Sequence, residues 1–430
     1  MNKILVAGTG PVGVQLAHIA NEYTKSLVSM VGRATASSKS KKFYDAYQEE
    51  GQIDIHIQNE KHNSLSGQTK LKNIYKDYES VEDTYDVLVM ACTANAYRDV
   101  LVSLPRKAIS TLKCIILVSP TFGSHIIVRQ LMKDLNLNIE VISFSTYLGD
   151  TRVLNTEQPN HVLTTGVKEN VYIGSTFEES KMINEIKGIF QKIDIQLTLV
   201  ESPFIAESRN SSLYVHPALF MNEFALNTIF YGNDILVYVY KLFPEGPITM
   251  TLIREMRLMW QELMNILKSL NLPTLNLLKF MVKENYPLRL ETMNEQDIER
   301  FETLTNIHQE YLLYVRYTGI LIDPFSKPND RGEYFDFSAV PFHFIYKNDE
   351  GVTQIPRMPS EDFYRTKIIQ AIGRLSSIET PMIDQFLNRY ISYVSEYKAK
   401  NKSETFSHDF NIEHAQQDIS LLEDYFKKIY

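Results

Sequence analysis

The segment Gly8-Thr9-Gly10-Pro11-Val12-Gly13 constrains this chain more than any other, because it stands directly between an apolar run, Lys3 to Ala7, and a helical run from Val14 to Tyr23. A strand, a glycine turn and a helix in that order form a corner that binds phosphates. Gly8 permits the tight turn, and Gly10 lets the backbone approach a pyrophosphate. Gly13 allows close packing of helix on strand, and the helix start presents free amides with the positive end of its dipole. Three of only 17 glycines in 430 residues fall in this hexapeptide, so background composition is a poor explanation for it. A dinucleotide is the expected ligand, held by Gly8, Thr9, Gly10, Pro11, Val12 and Gly13.

The end of the second strand selects the type of dinucleotide. A site for NAD places an acidic residue there, about 20 positions beyond the glycine turn, to hold the ribose hydroxyls. Here the strand ends in Val31-Gly32-Arg33, with Ser37, Ser38 and Lys39 close behind. Guanidinium, ammonium and hydroxyl groups suit a 2′-phosphate, and Gly32 carries no charge to oppose one. The expected cofactor is therefore NADPH/NADP, with Arg33, Ser37, Ser38 and Lys39 at the adenosine end. A solvated basic loop containing Lys41 and Lys42 is the plainer alternative for these residues.

Around this corner the first part of the chain alternates apolar strands with helical segments, the texture of a parallel sheet covered by helices. Strands are expected at Lys3 to Ala7, Leu27 to Gly32, Asp86 to Cys92, Lys113 to Val118 and Ile139 to Ser145. Further strands are expected at Asn170 to Ile173 and Ile195 to Val200, extending the same sheet, with a helix from Glu178 to Gln191. After Pro203 the period becomes helical; Leu252, Met256, Met259, Leu263, Ile266, Leu267 and Leu270 share one face of a helix from Met250 to Leu270. Ser360 and Thr380 read as helix caps. The fold class is α/β: an N-terminal Rossmann-type parallel sheet domain over 1–200 and a mainly α-helical domain over 201–430.

Composition narrows the partners. A net charge of −8 argues against nucleic acid, and no apolar stretch approaches the length of about 18 residues that a membrane helix needs. Cys92 and Cys114, the two cysteines, lie in strand-like runs and suggest neither a disulfide framework nor a cysteine metal site. The cytoplasm is the expected compartment. No metal held by the protein is expected either, since the six-residue spacing of His408 and His414 fits neither one helix face nor a familiar zinc pattern.

The chemistry must come from the second region. In Ser211-Ser212-Leu213-Tyr214-Val215-His216-Pro217, Pro217 suits the first position of a helix. His216 is then expected at that helix start, where the dipole favours a neutral, proton-accepting ring. Cationic or hydroxyl partners for substrate carboxylates are available in Arg152, Arg209, Ser211 and Tyr240.

With the GTGPVG turn, Gly32-Arg33, Tyr147-Leu148-Gly149-Asp150 and Leu213-Tyr214-Val215-His216-Pro217 in place along its length, the chain resembles the opine dehydrogenases, in particular the bacterial branch that makes metal-chelating opines. That resemblance implies an NADPH-dependent enzyme joining an α-keto acid, pyruvate in this branch, to a nicotianamine-like amine built from D-histidine and an aminobutyrate unit. It further implies His216 as catalytic acid and base, Asp150 as its aid or the substrate's, small molecules as partners, and a homodimer. Two other readings stay open: a dehydrogenase of a simple hydroxy acid, and a sensor that binds NADP without catalysis.

Overall fold

Ile4, Leu5, Val6 and Ala7 are each at most 2% exposed, and a run apolar on both faces belongs in the middle of a sheet covered on both sides. The computed structural model, which describes residues 2–33, 39–285, 288, 290–319, 328–333, 336 and 338–428, places that run there. The chain divides into two compact units, one of 1–210 with 420–430 and one of 211–419.

The strands of the first unit are β1 (Lys3–Ala7), β2 (Leu27–Val31), β3 (Ile53–Ile57), β4 (Gly67–Thr69), β5 (Asn73–Tyr75), β6 (Val87–Met90), β7 (Cys114–Leu117), β8 (Glu140–Phe144), β9 (Gly149–Asn155), β10 (Gln158–Val167), β11 (Asn170–Ser175) and β12 (Gln196–Val200). Its helices are α1 (Pro11–Tyr23), α2 (Lys39–Glu50), α3 (Tyr97–Ser103), α4 (Arg106–Ile109), α5 (Ser124–Asp134), α6 (Lys181–Lys192) and α7 (Pro203–Ser208). Eight strands form the main sheet in the order β12-β11-β8-β7-β6-β1-β2-β5. From β8 to β5 all neighbours are parallel, while β11 runs antiparallel to β8 and parallel to β12. The chain leaves β1 toward β2 on one side and returns to β6 on the other, so the order reverses at the carboxyl ends of β1 and β6. That reversal opens a crevice at the strand ends, where ligands of such sheets bind.

The expectation that the strands at Asn170 to Ile173 and Ile195 to Val200 extend this sheet holds for β11 and β12, whereas β9 and β10 were not expected. The hairpin β9–β10 joins β3 and β4 in a second sheet of order β4-β3-β10-β9, with β10 parallel to β3. α1 contacts strands of both sheets, which explains its two buried polar residues. Gln15 accepts from Thr164 Oγ1 at 2.6 Å and donates to Leu65 O at 2.9 Å, and His18 Nδ1 lies 2.7 Å from Thr69 Oγ1. The first unit also runs past residue 200, because α7 packs on β8 and β11.

The second unit carries α8 (Ser212–Phe220), α9 (Glu223–Tyr231), α10 (Met250–Ser269), α11 (Leu277–Lys279), α12 (Glu295–Glu299), α13 (Asn306–Gly319), α14 (Arg357–Leu375) and α15 (Pro381–Lys400), with the small ladder β13 (Tyr346–Lys347) and β14 (Thr353–Gln354); α16 (Gln416–Phe426) closes the chain. The stripe on α10 is buried from Leu252 to Leu267 as its spacing predicts, and Arg257 pairs with Glu310 of α13 at 3.0 Å.

Two helix starts differ from expectation. Pro359 lies in the first turn of α14, where a missing N–H costs nothing, so the helix begins at Arg357 and Ser360 is inside it, its hydroxyl on Asp409 at 3.1 Å. Thr380 does precede α15, without a side-chain capping bond. His216 and Pro217 likewise lie inside α8 and not at its start. Leu213, Tyr214, His216, Pro217, Ala218, Leu219 and Phe220 are all buried. Packing around most of the circumference sustains the helix through the position where Pro217 removes one backbone bond.

Candidate active site

Gly8 and Gly13 of the opening corner each have a steric reason. Gly8 has φ +128°, and a Cβ there would stand 2.3 Å from Ala91 O, just past β6. A Cβ on Gly13 would stand 2.0 Å from Gly8 O, so the helix lies directly on the turn. At Gly10, by contrast, a Cβ would meet nothing within 4 Å. Fold packing therefore does not demand glycine at that position, whereas close approach of a ligand would. Gly10 also precedes α1 with no side-chain cap, and Pro11 occupies the first turn, leaving the amides of Val12 and Gly13 directed at the helix start.

These facts separate two substitutions. Gly13→Ala should destabilise the protein by about 3 kcal/mol through overpacking, measured by denaturant unfolding. Gly10→Ala should leave stability within about 0.5 kcal/mol and weaken NADPH binding by about tenfold or more in a fluorescence titration. NADPH affinity unchanged in Gly10→Ala would remove the pyrophosphate from this turn.

Thr9 is engaged within the protein, its hydroxyl donating to Ser40 Oγ at 2.8 Å. A Cβ on Gly32 would press on both hydroxyls, at 2.7 Å and 2.8 Å, so Gly32 has a packing reason in addition to its lack of charge. Arg33 is exposed after β2 and Lys39 is exposed at the start of α2; Ser37 and Ser38 lie outside the described residues. Tyr78, whose phenol burial pushes well above its ordinary range, feels the Arg33 charge. The turns after β6 and β7 each hold a buried side-chain atom with no partner among the described residues, Asn95 Oδ1 and Thr121 Oγ1. Buried polar atoms need partners, and these turns stand at strand ends that border the crevice. The open space at Gly10, the uncapped helix start and these two atoms fit a dinucleotide.

The turn after β7 is held by a carboxylate that no sequence pattern announces. Glu207 of α7, fully buried, accepts from Gly123 N at 2.8 Å, His125 N at 2.9 Å and Ser143 Oγ at 2.8 Å, and also contacts His125 Nδ1 at 2.9 Å. Its distance in sequence from β7 hides this role.

In the second unit, His216 is 9% exposed, with Nδ1 3.3 Å from both carboxylate oxygens of Asp362, itself 1% exposed. The helix-start argument for a neutral ring therefore does not apply. Asp362, on α14, faces the ring instead: a carboxylate that accepts a hydrogen bond from Nδ1–H would leave Nε2 as the acceptor, the logic of a base and its orienting acid. Arg365 Nη1 lies 3.6 Å from Asp362 Oδ1. No local pattern ties Asp362 to His216, 146 residues apart.

The other expected residues are spread over both units. Asp150 is exposed on β9 and accepts from Thr165 Oγ1 at 2.8 Å. Beside it, Tyr147 is buried, its phenol pushed up by burial, and its hydroxyl contacts Thr151 at 2.7 Å. Arg152 is exposed on β9, and Arg209 lies with its guanidinium 5.9 Å from the Tyr172 ring centre. Ser211 and Tyr240, in the second unit, are half-buried. His408 and His414 do come together edge to face, ring centres 5.8 Å apart, without forming a group of three ligand-type residues among those described.

A sequence model of the family described as staphylopine dehydrogenase matches residues 2–426. The chain belongs to that family. Within it, the chain is 57% identical to staphylopine synthase of Staphylococcus aureus over 422 residues, 98% of each chain, and 30% identical to pseudopaline synthase of Pseudomonas aeruginosa, across 92% of this chain and 91% of that one. In fold it is similar to yersinopine dehydrogenase solved with NADP+ bound, with a TM-score of 0.91, 22% identity, and 100% and 99% of the two chains covered. As expected for this family, the chain is an oxidoreductase with a Rossmann-type sheet and a mainly helical second part.

Proposed function

We propose that the protein condenses pyruvate with a nicotianamine-like, D-histidine-derived amine and reduces the resulting imine with NADPH to a metal-chelating opine of the staphylopine type. The observation that carries this reading is the 57% identity to a staphylopine synthase over nearly the whole of both chains. When bound, the dinucleotide supplies the hydride.

The protein's own residues do the rest. Gly10 and the first amides of α1 hold the pyrophosphate, and Arg33 with Lys39 holds the 2′-phosphate. His216 Nε2 takes a proton from the substrate ammonium, freeing the nitrogen lone pair to attack the keto carbon. It then returns a proton to the hydroxyl that leaves as water. Asp362 holds the ring in the tautomer those transfers need. Asp150, Arg152, Arg209, Ser211 and Tyr240 are assigned to the substrate carboxylates and amine.

With only two cysteines in 430 residues, this reading sets the protein in the cytoplasm; among the described residues no helix is long and apolar enough to cross a membrane. The active form is a homodimer in this reading; a light-scattering mass near the 49.7 kDa of one chain would exclude it. The test of function is NADPH oxidation with pyruvate alone, amine alone and both. Turnover only with both is expected. Equal turnover with pyruvate alone would make the protein a hydroxy-acid dehydrogenase, and none under any condition, with NADPH still bound, a sensor.

A further inference from the structure

The sequence Ile53-Asp54-Ile55-His56-Ile57 alternates strictly. Ile53 and Ile55 are buried at 0% and 2% exposure, so the period of two puts Asp54 and His56 on the opposite face of the second sheet. The parallel register of β10 on β3 sets His161 directly beside Asp54, with both its neighbours, Asn160 and Val162, fully buried. One carboxylate and two imidazoles therefore meet on a single outer face, with one ligand-type atom from each within 4.8 Å of the others. His56 Nε2 is 3.4 Å from Asp54 Oδ1, and the two rings lie 6.2 Å apart at 18°.

Each side of the group is also held from behind. Gln68 on β4 donates to Asp54 Oδ2 at 2.9 Å, and Glu50 at the end of α2 lies 2.6 Å from His161 Nε2. A carboxylate on one nitrogen of an imidazole, fixing the ring for use of the other, is the outer arrangement of metal-binding histidines.

We propose that Asp54, His56 and His161 bind a first-row divalent transition-metal ion. Two imidazole nitrogens and one carboxylate oxygen suit zinc, cobalt, nickel or copper and disfavour magnesium and calcium, which prefer all-oxygen sets. Three protein ligands with solvent on the outer side leave a fourth position for water. The bound ion cross-links β3 to β10, strands far apart in sequence, and so stabilises the second sheet. The site is independent of the proposed reaction and of the metal that a chelating product would carry.

The test titrates metal-stripped full-length protein with zinc by calorimetry, follows thermal unfolding with and without zinc, and records the visible spectrum with cobalt. Wild type should bind about one equivalent at this site, melt higher with zinc, and give the absorption of a cobalt site of low coordination number. His56→Ala, whose side chain is exposed and whose loss leaves the core intact, and His161→Asn should both lose that equivalent and the rise in melting temperature. Glu50→Gln should weaken binding by about 10- to 100-fold, and His408→Ala should leave it unchanged. The proposal is overturned if wild type and the His56→Ala, His161→Asn double variant take up zinc identically, if wild type takes up none, or if His408→Ala alone removes the equivalent.

Discussion

Exchange of Asp362 for Asn should lower kcat by a factor on the order of 10²–10⁴ while leaving NADPH affinity and folding intact. The substitution conserves volume in a position only 1% exposed, so the packing of α14 survives. What changes is the partner of His216 Nδ1, now 3.3 Å from both carboxylate oxygens. An amide NH₂ can face that nitrogen and force the ring proton onto Nε2, the atom required to accept a proton from the substrate. His216→Ala should lose a comparable factor. If the two act as one unit, the double variant should be little worse than either single one, because removing the second member of a broken pair costs little. A loss confined to KM, or a kcat within a few-fold of wild type in Asp362→Asn, would remove Asp362 as the group that positions the base.

At the other end of the proposed reaction, Arg33→Glu should raise KM for NADPH about 100-fold and change KM for NADH by less than about threefold. A hydrogen bond to a charged group contributes roughly 1.5–3 kcal/mol, and each 1.4 kcal/mol is a factor of ten; reversal of the charge adds repulsion to the loss. Arg33 is exposed after β2, so the change disturbs no core packing. The neighbouring Gly32 lies close to the bonded hydroxyls of Thr9 and Ser40, a contact that does not involve the altered side chain. Steady-state kinetics with both coenzymes measure the effect. Equal shifts for NADPH and NADH would mean that Arg33 does not face the 2′-phosphate.

The parts of the fold visible in the sequence are those whose cause is local. The glycine corner is contiguous, and Gly8 and Gly13 answer to contacts at the neighbouring strand end and within a few residues. The buried parallel strands are short apolar runs, and the α10 stripe has a clean helical period. The second sheet is hidden because β10 shows no regular alternation of apolar and polar residues, its buried face being Asn160, Val162 and Thr164, and because it pairs with β3 across more than a hundred residues of chain. His216 is legible as a candidate, whereas its setting is not. Pro217 signals a helix start by its backbone chemistry, and burial around α8 overrides that signal. The partners that give the site its chemistry, Asp362 for His216 and Glu207 for the turn after β7, are joined only by tertiary packing, so no spacing announces them.

The most direct test of the reductive condensation is mass spectrometry of the product formed from pyruvate, the amine and NADPH carrying deuterium at the transferred position. The account predicts a single secondary amine whose mass equals the two substrates less water plus the transferred hydrogens, with the deuterium on the former keto carbon. Deuterated lactate with the amine recovered unchanged would contradict it.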